Sequence, residues 1–176
     1  MGNNHLKWFD ESKRKVLILA FEEDYLNKIA KVLSKTDIKI NDSIGFQSDD
    51  IIYNKLSLKL WYLTVNYRYL WKHHFIGTQG LIISFSFQEK VKDGRIIYEV
   101  LNVLNDQNIA GLPVLLLIDL NNKDQGVVES LRKEMNNQMN EEKLKMVKIN
   151  YIDFQNDINQ IKTGFDWLCE NMKPLK

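Results

Sequence analysis

Apolar runs that alternate with helix-like patterns are the feature that most constrains the fold of this chain. The runs are Val16–Phe21, Gly80–Phe87, Pro113–Leu120 and Met146–Ile152. Strands with so few polar residues are typical of a parallel sheet that is covered by helices on both faces. The order of elements therefore predicts an α/β fold with three layers and a mostly parallel sheet. Ligands in such folds bind at the carboxyl ends of the strands, which are expected at Phe21, Phe87, Leu120 and Ile152.

Five helices and one hairpin are predicted around these strands. The predicted helices are Asp24–Ser34, Tyr67–Phe75, Asp93–Asn105, Asp124–Gln138 and Asp157–Met172. Asp24 is predicted to cap the first of them. Apolar and polar residues alternate in Leu56–Leu63, which predicts a hairpin with Ile44–Tyr53 that turns at Asn54 and Lys55. We expect a single domain over residues 16–176, preceded by an N-terminal arm over residues 1–15 that is a candidate amphipathic segment.

The composition is that of a globular protein, with 44% apolar and 27% charged residues. Such a chain can bury a core without disulfides or metals. A net charge of +1 gives no support for a nucleic-acid partner. Cys169 is the only cysteine, which suits a reducing compartment. We therefore expect an intracellular location, cytoplasmic or on the surface of or within an organelle assembly.

The N-terminus carries two features that point to a membrane surface. The chain begins Met-Gly, so Gly2 is a candidate for myristoylation, although Leu6 stands where the motif has Ser or Thr. Leu6, Trp8 and Phe9 form an apolar cluster before a basic triplet. This cluster favours either peripheral membrane contact or packing on the body of the protein.

The turn after the first predicted strand is acidic, with Glu22, Glu23 and Asp24 in succession. A phosphate site needs glycines, free N–H groups at a helix start and a lysine. Three carboxylates would instead repel phosphates. We expect these acids to interact with the dipole of the following helix. A divalent metal site is the alternative interpretation.

Three other groups of residues are candidate sites. His73 and His74 are adjacent, and neighbours on a helix do not face each other, so a shared metal is not expected. The aromatic and basic run at 67–72 favours contact with a partner protein over stacking on bases. Ser84 and Ser86 lack a recognisable histidine base and acid, so a hydrolase triad is not predicted.

The middle of the chain resembles the ADP-ribosylation factor (Arf and Arf-like) small GTPases. That family reads T-I-G-F, a hairpin that ends in W-D-x-G-G-Q, then L-W-R-H-Y-F and N-T-Q-G-L-I. The matching segments are Ser43–Phe46, the hairpin to Trp61, Leu70–Phe75 and Thr78–Ile82, with Gly164–Leu168 matching the later G-L-D-W-L. The resemblance implies a small-GTPase (P-loop NTPase) fold, whose six-stranded, mostly parallel sheet contains one antiparallel hairpin strand.

The departures from the family pattern fall on the nucleotide contacts. The phosphate loop G-L-D-x-x-G-K-T aligns with 20–27, from Ala20 onward, so Tyr25 replaces the loop glycine, Leu26 the lysine and Asn27 the magnesium-binding hydroxyl. Asn66 is the nearest replacement for the water-orienting glutamine. The guanine-reading N-K-x-D aligns with 120–123 and the later C-A-T with 154–156, so the residue at the position of the guanine-reading acid is Lys123. A shift in that loop would bring Asp119 or Asp124 nearby. Among these positions only Ser43 keeps the type of ligand that the family uses.

The predicted partner surface is better preserved. The family's aromatic trio aligns with Phe46, Trp61 and His74, and with Tyr69 and Trp71 these residues form the predicted contact surface. Burial of Phe46 and Trp61 within the hairpin packing is the alternative. The resemblance thus predicts an Arf-like pseudo-GTPase without cofactor, metal or catalytic activity, which acts as a protein-interaction or structural subunit of a larger assembly.

Three rival functions stay open at this point. The first is a divergent GTP-binding Arf-like protein in vesicle or membrane traffic, with GTP or GDP and Mg²⁺. The second is an enzyme with a metal at the acidic turn, and the third is a structural spacer without a specific contact surface.

Overall fold

The computed structural model describes residues 12–40, 44–87, 90–119, 125–156 and 158–174. Several residues that carry predictions lie outside these ranges, so their predictions stay as they are: Gly2, Leu6, Trp8, Phe9, Ser43, Leu120, Lys123 and Asp124.

The sheet has six strands in the order β2-β3-β1-β4-β5-β6. The strands are β1 Arg14–Ala20, β2 Gln47–Tyr53, β3 Leu56–Thr64, β4 Thr78–Ser86, β5 Val114–Asp119 and β6 Val147–Ile152. Among the described strands only β2 is antiparallel to its neighbour, and the other adjacent pairs are parallel. The predicted mostly parallel sheet with one antiparallel hairpin strand is confirmed.

In the described ranges, six α-helices connect and cover the strands. They are α1 Glu23–Leu33, α2 Arg68–His74, α3 Lys90–Leu104, α4 Gln125–Gln138, α5 Glu141–Lys145 and α6 Asn159–Asn171. A short 3-10 turn at Val65–Tyr67 precedes α2. Helix α5 was not predicted, because five residues are too few to show a periodic pattern; Asn140 caps it by accepting a hydrogen bond from the Lys143 N–H at 2.9 Å. Within the described ranges no helix has the length and apolarity to cross a membrane.

Two hydrophobic clusters cover the two faces of the sheet, which gives the predicted three layers. One cluster joins α1 and α6 to the sheet and includes Leu26, Ile29 and Phe165. The other joins α2, α3 and α4 and includes Trp71 and Val100. Since the parallel strands are covered on both faces, most of their side chains are apolar, as the sequence indicates.

The hairpin turn and the start of α1 show one success and one error of prediction. Asn54 and Lys55 form the turn, with φ of 47° and 66°, the left-handed values that a two-residue hairpin turn requires. By contrast, Asp24 does not cap α1. Glu22 occupies the N-cap position without a capping side-chain bond, and Asp24 lies in the first turn, where it pairs with Lys28 at 2.6 Å.

Helix α6 approaches the sheet most closely at Gly164. A Cβ atom at this position would lie 2.7 and 2.8 Å from the two Leu115 methyl carbons and 2.9 Å from Asn150 Nδ2. We expect Gly164→Ala to lower the free energy of unfolding by about 1–3 kcal/mol, because the extra methyl overpacks the interface. Urea denaturation measures this change.

Gly94→Ala in α3 is the matched control. A Cβ atom there would meet nothing within 4 Å, so the substitution should raise stability by roughly 0.5–1 kcal/mol through helix propensity. Equal effects of the two substitutions would contradict the close approach of α6.

Candidate functional site

The junction between β1 and α1 contains only Phe21 and Glu22. The eight residues that align with the family's phosphate loop are therefore a strand end, this two-residue link and the first five residues of a helix. The Leu26 N–H already donates to the Glu22 carbonyl at 3.4 Å. This segment has no glycine-rich loop whose backbone could surround a phosphate.

Tyr25 lies across the carboxyl ends of β5 and β6. Its side chain is 5% exposed, and its hydroxyl donates to Asp119 Oδ2 at 2.5 Å. Its ring stacks on that of Phe154, with centroids 4.2 Å apart and planes 9° from parallel. Burial, followed by the bond to Asp119, raises the pKa of the Tyr25 hydroxyl, so it stays protonated.

The residues near Tyr25 in the chain also contact other parts of the protein. Glu22 Oε1 accepts a hydrogen bond from Ser86 Oγ at 2.6 Å. Leu26 is fully buried in the core. Asn27 Oδ1 accepts from the Ile38 N–H at 2.9 Å, which ties α1 to the segment after it. The residues that replace the phosphate lysine and the magnesium-binding hydroxyl thus serve packing and loop anchoring.

Two further predicted nucleotide positions, Ala20 and Asn66, lie within the described residues. Ala20 is buried at the end of β1, and Asn66 is exposed in the 3-10 turn. Two buried hydroxyls at the same edge of the sheet, Thr64 Oγ1 and Ser84 Oγ, have no hydrogen-bond partner among the described residues. The acidic groups at this edge of the sheet bind partners within the chain, since Glu22 accepts a hydrogen bond from Ser86 and Asp119 accepts one from Tyr25.

Sequence reasoning missed the roles of Asp119, Ser86 and Phe154. Asp119 was available as a signal, because it is the one charged residue in the apolar run at 113–120. Phe154 gave no such signal, since an aromatic residue after an edge strand is unremarkable in sequence.

The acidic turn does not assemble metal ligands. Among the described residues there is no group of three or more His, Cys, Asp or Glu side chains that could hold a metal ion. Glu22 points to Ser86 and Asp24 to Lys28. The two carboxylates thus bind different partners instead of converging on one point.

The predicted aromatic trio does come together. The Phe46 ring stacks on Trp61 with centroids 4.6 Å apart, and the His74 ring lies 5.1 Å from Phe46 and 5.3 Å from Trp61. Gly45 permits this arrangement, because its φ is +71° and a Cβ atom there would lie 2.7 Å from Leu70 Cδ1. We call these three rings the aromatic cluster.

The buried side chain of Lys15 contacts the aromatic cluster. Lys15 Nζ donates to the carbonyls of His74 and Ile76, at 2.5 and 3.2 Å, and lies 4.9 Å from the centroid of the Trp61 ring. Burial lowers the pKa of the Lys15 ammonium from 10.5 to about 8. Burial also lowers the pKa of His74 from 6.5 to about 4, with further contributions from Lys15 and His73.

The predicted contact residues differ strongly in exposure. Tyr69 is 69% exposed, whereas Trp61 and Trp71 are 6% and 3% exposed. Trp71 donates its indole N–H to the Thr64 carbonyl at 3.0 Å and meets the Phe21 ring edge-on at 5.5 Å. Both tryptophans therefore pack in the interior, and the prediction of Trp61 and Trp71 as surface contacts is corrected by their burial.

The chain matches a known protein family over most of its length. A model of the ADP-ribosylation factor family matches residues 5–172. The chain belongs to the ADP-ribosylation factor family. ADP-ribosylation factor K of Dictyostelium discoideum is 25% identical over 142 residues, which cover 74% of this chain and 69% of that protein.

A solved structure agrees with the family assignment at the level of fold. It is the Arl6 BBS3 small GTPase of Trypanosoma brucei with the bound nucleotide analogue GppNp. The TM-score is 0.68 at 14% identity, and the match covers 90% of this chain and 96% of that chain. The Arf-family chain described here thus has the small-GTPase fold together with an unusual β1–α1 junction.

Removal of the Tyr25 hydroxyl tests the side-chain bond in this Arf-family junction. Tyr25→Phe keeps the ring stacked on Phe154 and deletes the bond to Asp119. We expect the free energy of unfolding to fall by about 1–3 kcal/mol, as for hydrogen bonds to charged groups. Urea denaturation of Tyr98→Phe, at a 66% exposed tyrosine, is the control and should change stability by less than about 0.5 kcal/mol. Equal stability of Tyr25→Phe and wild type would contradict the buried bond.

The low pKa of His74 predicts a dependence of stability on pH. Because the folded protein protonates His74 near pH 4 and the unfolded chain near pH 6.5, the unfolded chain binds more protons in this interval. The contribution of neutral His74 is complete above pH 6.5 and is lost as the pH falls to 4. For a half-buried ring we expect a loss on the order of 1 kcal/mol after solvent screening.

Denaturation curves across this pH interval measure the effect. His74→Phe should remove it, and His73→Gln, at the exposed neighbour, should retain it. An unchanged pH profile in His74→Phe would assign the dependence to other groups.

Proposed function

We propose that this Arf-family chain does not bind guanine nucleotide and acts as a protein-interaction or structural subunit of a larger assembly. The observation that carries the proposal is the position of Tyr25. It replaces the loop glycine, and its buried side chain contacts Asp119 and Phe154 at the ends of β5 and β6. The family places its base-reading residues after these same two strands.

Charge supports the same conclusion. Glu22 and Asp119 carry carboxylates at this edge of the sheet, and Leu26 replaces the lysine that would neutralise a phosphate. Two like charges about 4 Å apart repel by roughly 4 kcal/mol at an effective dielectric constant of 20. A triphosphate would meet this repulsion without a compensating lysine.

The elements that would respond to nucleotide in a switch are tied to the protein itself. Trp71 anchors α2 to the Thr64 carbonyl and to Phe21. At the far end of the hairpin, the Tyr53 hydroxyl and the Asn54 amide donate to Asp166 Oδ1 of α6, at 2.6 and 3.2 Å. A nucleotide switch needs a segment that becomes ordered when the γ-phosphate is bound and is released when the γ-phosphate is lost. The contacts described above hold α2 and the hairpin in place without a γ-phosphate.

The surface beside the aromatic cluster suits a partner protein. Ile44 and Ile76 are 50% and 67% exposed. Phe46 is partly exposed beside them. Exposed aromatic and aliphatic side chains on an ordered framework are common anchors at protein interfaces.

Binding of a fluorescent GTP or GDP analogue in the presence of Mg²⁺ tests the proposal. We expect no saturable binding up to about 100 μM nucleotide, which corresponds to less than about 5.5 kcal/mol of binding free energy. Tyr25→Ala should also fail to bind nucleotide, because the family's phosphate-binding lysine and magnesium-binding hydroxyl are replaced as well.

Magnesium-dependent binding at micromolar or lower Kd would overturn the proposal. It would favour the alternative, a divergent GTP-binding Arf-like protein in vesicle or membrane traffic. Thermal unfolding with and without GTP, GDP and Mg²⁺ gives an independent reading, since a ligand that binds only the folded state raises Tm.

A further inference from the structure

A groove of about 340 Å³ lies between α2 and α3, away from the aromatic cluster. Its floor is formed by the buried side chains of Trp71, Phe75 and Val103. Tyr69 from α2 and Tyr98 from α3 stand on its two walls, 69% and 66% exposed. We call this feature the α2–α3 groove.

The groove lies on a different side of α2 from the aromatic cluster. Tyr69 and His74 are five positions apart, which places their side chains about 140° apart around a helix with 3.6 residues per turn. The aromatic cluster therefore uses the side of α2 that faces the hairpin, and the groove uses the side that faces α3. A protein bound to one does not need to touch the other.

The rim of the groove is positively charged. Arg68 binds Glu99 at 2.9 Å across the groove, which neutralises the only acid among the described residues that line it. Lys72 on α2 is exposed at the rim, and Arg95 on α3, which does not line the groove, is exposed about one turn before Tyr98. Neither forms an ion pair with another described residue. An apolar floor with one cation at its rim and a second beside it favours an occupant that has an apolar stripe and negative charge.

The exposed face of α3 continues the groove along a line. Arg95, Tyr98 and Asn102 stand at positions i, i+3 and i+7, so they share one face of the helix. Tyrosine and arginine are enriched at the energetic centres of protein interfaces. The line is long enough for about two turns of a partner helix.

We propose that the α2–α3 groove binds an acidic amphipathic helix of a partner protein, with apolar side chains between Tyr69 and Tyr98 and carboxylates facing Lys72 and Arg95. This inference rests on the proposed function, because it specifies the partner of a protein-interaction subunit. It adds α3 to the contact surface, which the sequence did not indicate.

Two labelled peptides of about 16 residues provide the probe. Both carry leucines at helical spacing, and the other positions are glutamate in one peptide and lysine in the other. Fluorescence anisotropy should show that the full chain binds the glutamate peptide at least about tenfold more tightly than the lysine peptide. The Tyr69→Ala/Tyr98→Ala double variant and Lys72→Glu should each weaken glutamate-peptide binding by about tenfold.

Ile52→Ala is the matched control, because Ile52 is 84% exposed on β2 and does not line the groove. It should bind the glutamate peptide as wild type does. Equal binding of the two peptides, or an unchanged affinity in the double tyrosine variant, would overturn the inference. Vesicles that contain phosphatidylserine serve as a competing probe. Tyrosine-dependent binding to them, without peptide binding, would also overturn it and would favour a membrane.

The nucleotide assay on the same preparations separates the two proposals. If the chain binds nucleotide and also binds the glutamate peptide through the two tyrosines, the proposed loss of nucleotide binding is wrong and the groove proposal stands. If the chain binds neither nucleotide nor peptide, the groove proposal is wrong and the proposed loss of nucleotide binding stands.

Discussion

The carboxyl ends of parallel strands carry polar groups that need partners, and in this protein Tyr25 supplies them from within the chain. Its hydroxyl binds Asp119 at the end of β5, and its ring stacks on Phe154 just after β6. The contact joins α1 to the half of the sheet farthest from the hairpin. Because a buried carboxylate without hydrogen bonds costs several kcal/mol, the start of α1 is constrained to the place where Tyr25 can reach Asp119.

The same junction also fixes the other face of the sheet. Phe21, one residue beyond β1, packs edge-on against Trp71 of α2 and against Phe85 of β4. The two-residue link thus contributes Phe21 to one hydrophobic cluster, and α1 contributes Tyr25 to the other. Any movement of this link would disturb packing on both faces, and close-packed interiors resist such movement. The position of α2 therefore follows from side-chain packing at the very place where the family would hold a phosphate.

The sequence predicted every strand except β2 to within two residues, because burial on both faces leaves an apolar run that is visible in one dimension. Strand β2 at the edge of the sheet begins at Gln47 instead of the predicted Ile44. It failed where a distant contact decides the local structure. Asp24 has a good capping side chain, yet the short link moves the helix start to Glu23. The bond between Tyr25 and Asp119 joins residues 94 positions apart, and no local pattern encodes such a pair. The burial of Trp71 was equally hidden, since a tryptophan in a short basic helix reads as either an anchor or a core residue.

A framework held by its own side chains changes what binding can accomplish. In a switch, part of the binding free energy of an effector is spent on selecting one conformation. Here α2 is held on one side by Lys15 beneath His74 and on the other by the ion pair of Arg68 with Glu99. A partner that docks on either side of α2 meets a surface that is already ordered, so little conformational entropy is lost on binding. Under the proposed function such a surface offers constant affinity, and control of the proposed complex would come from the amount or the state of the partner.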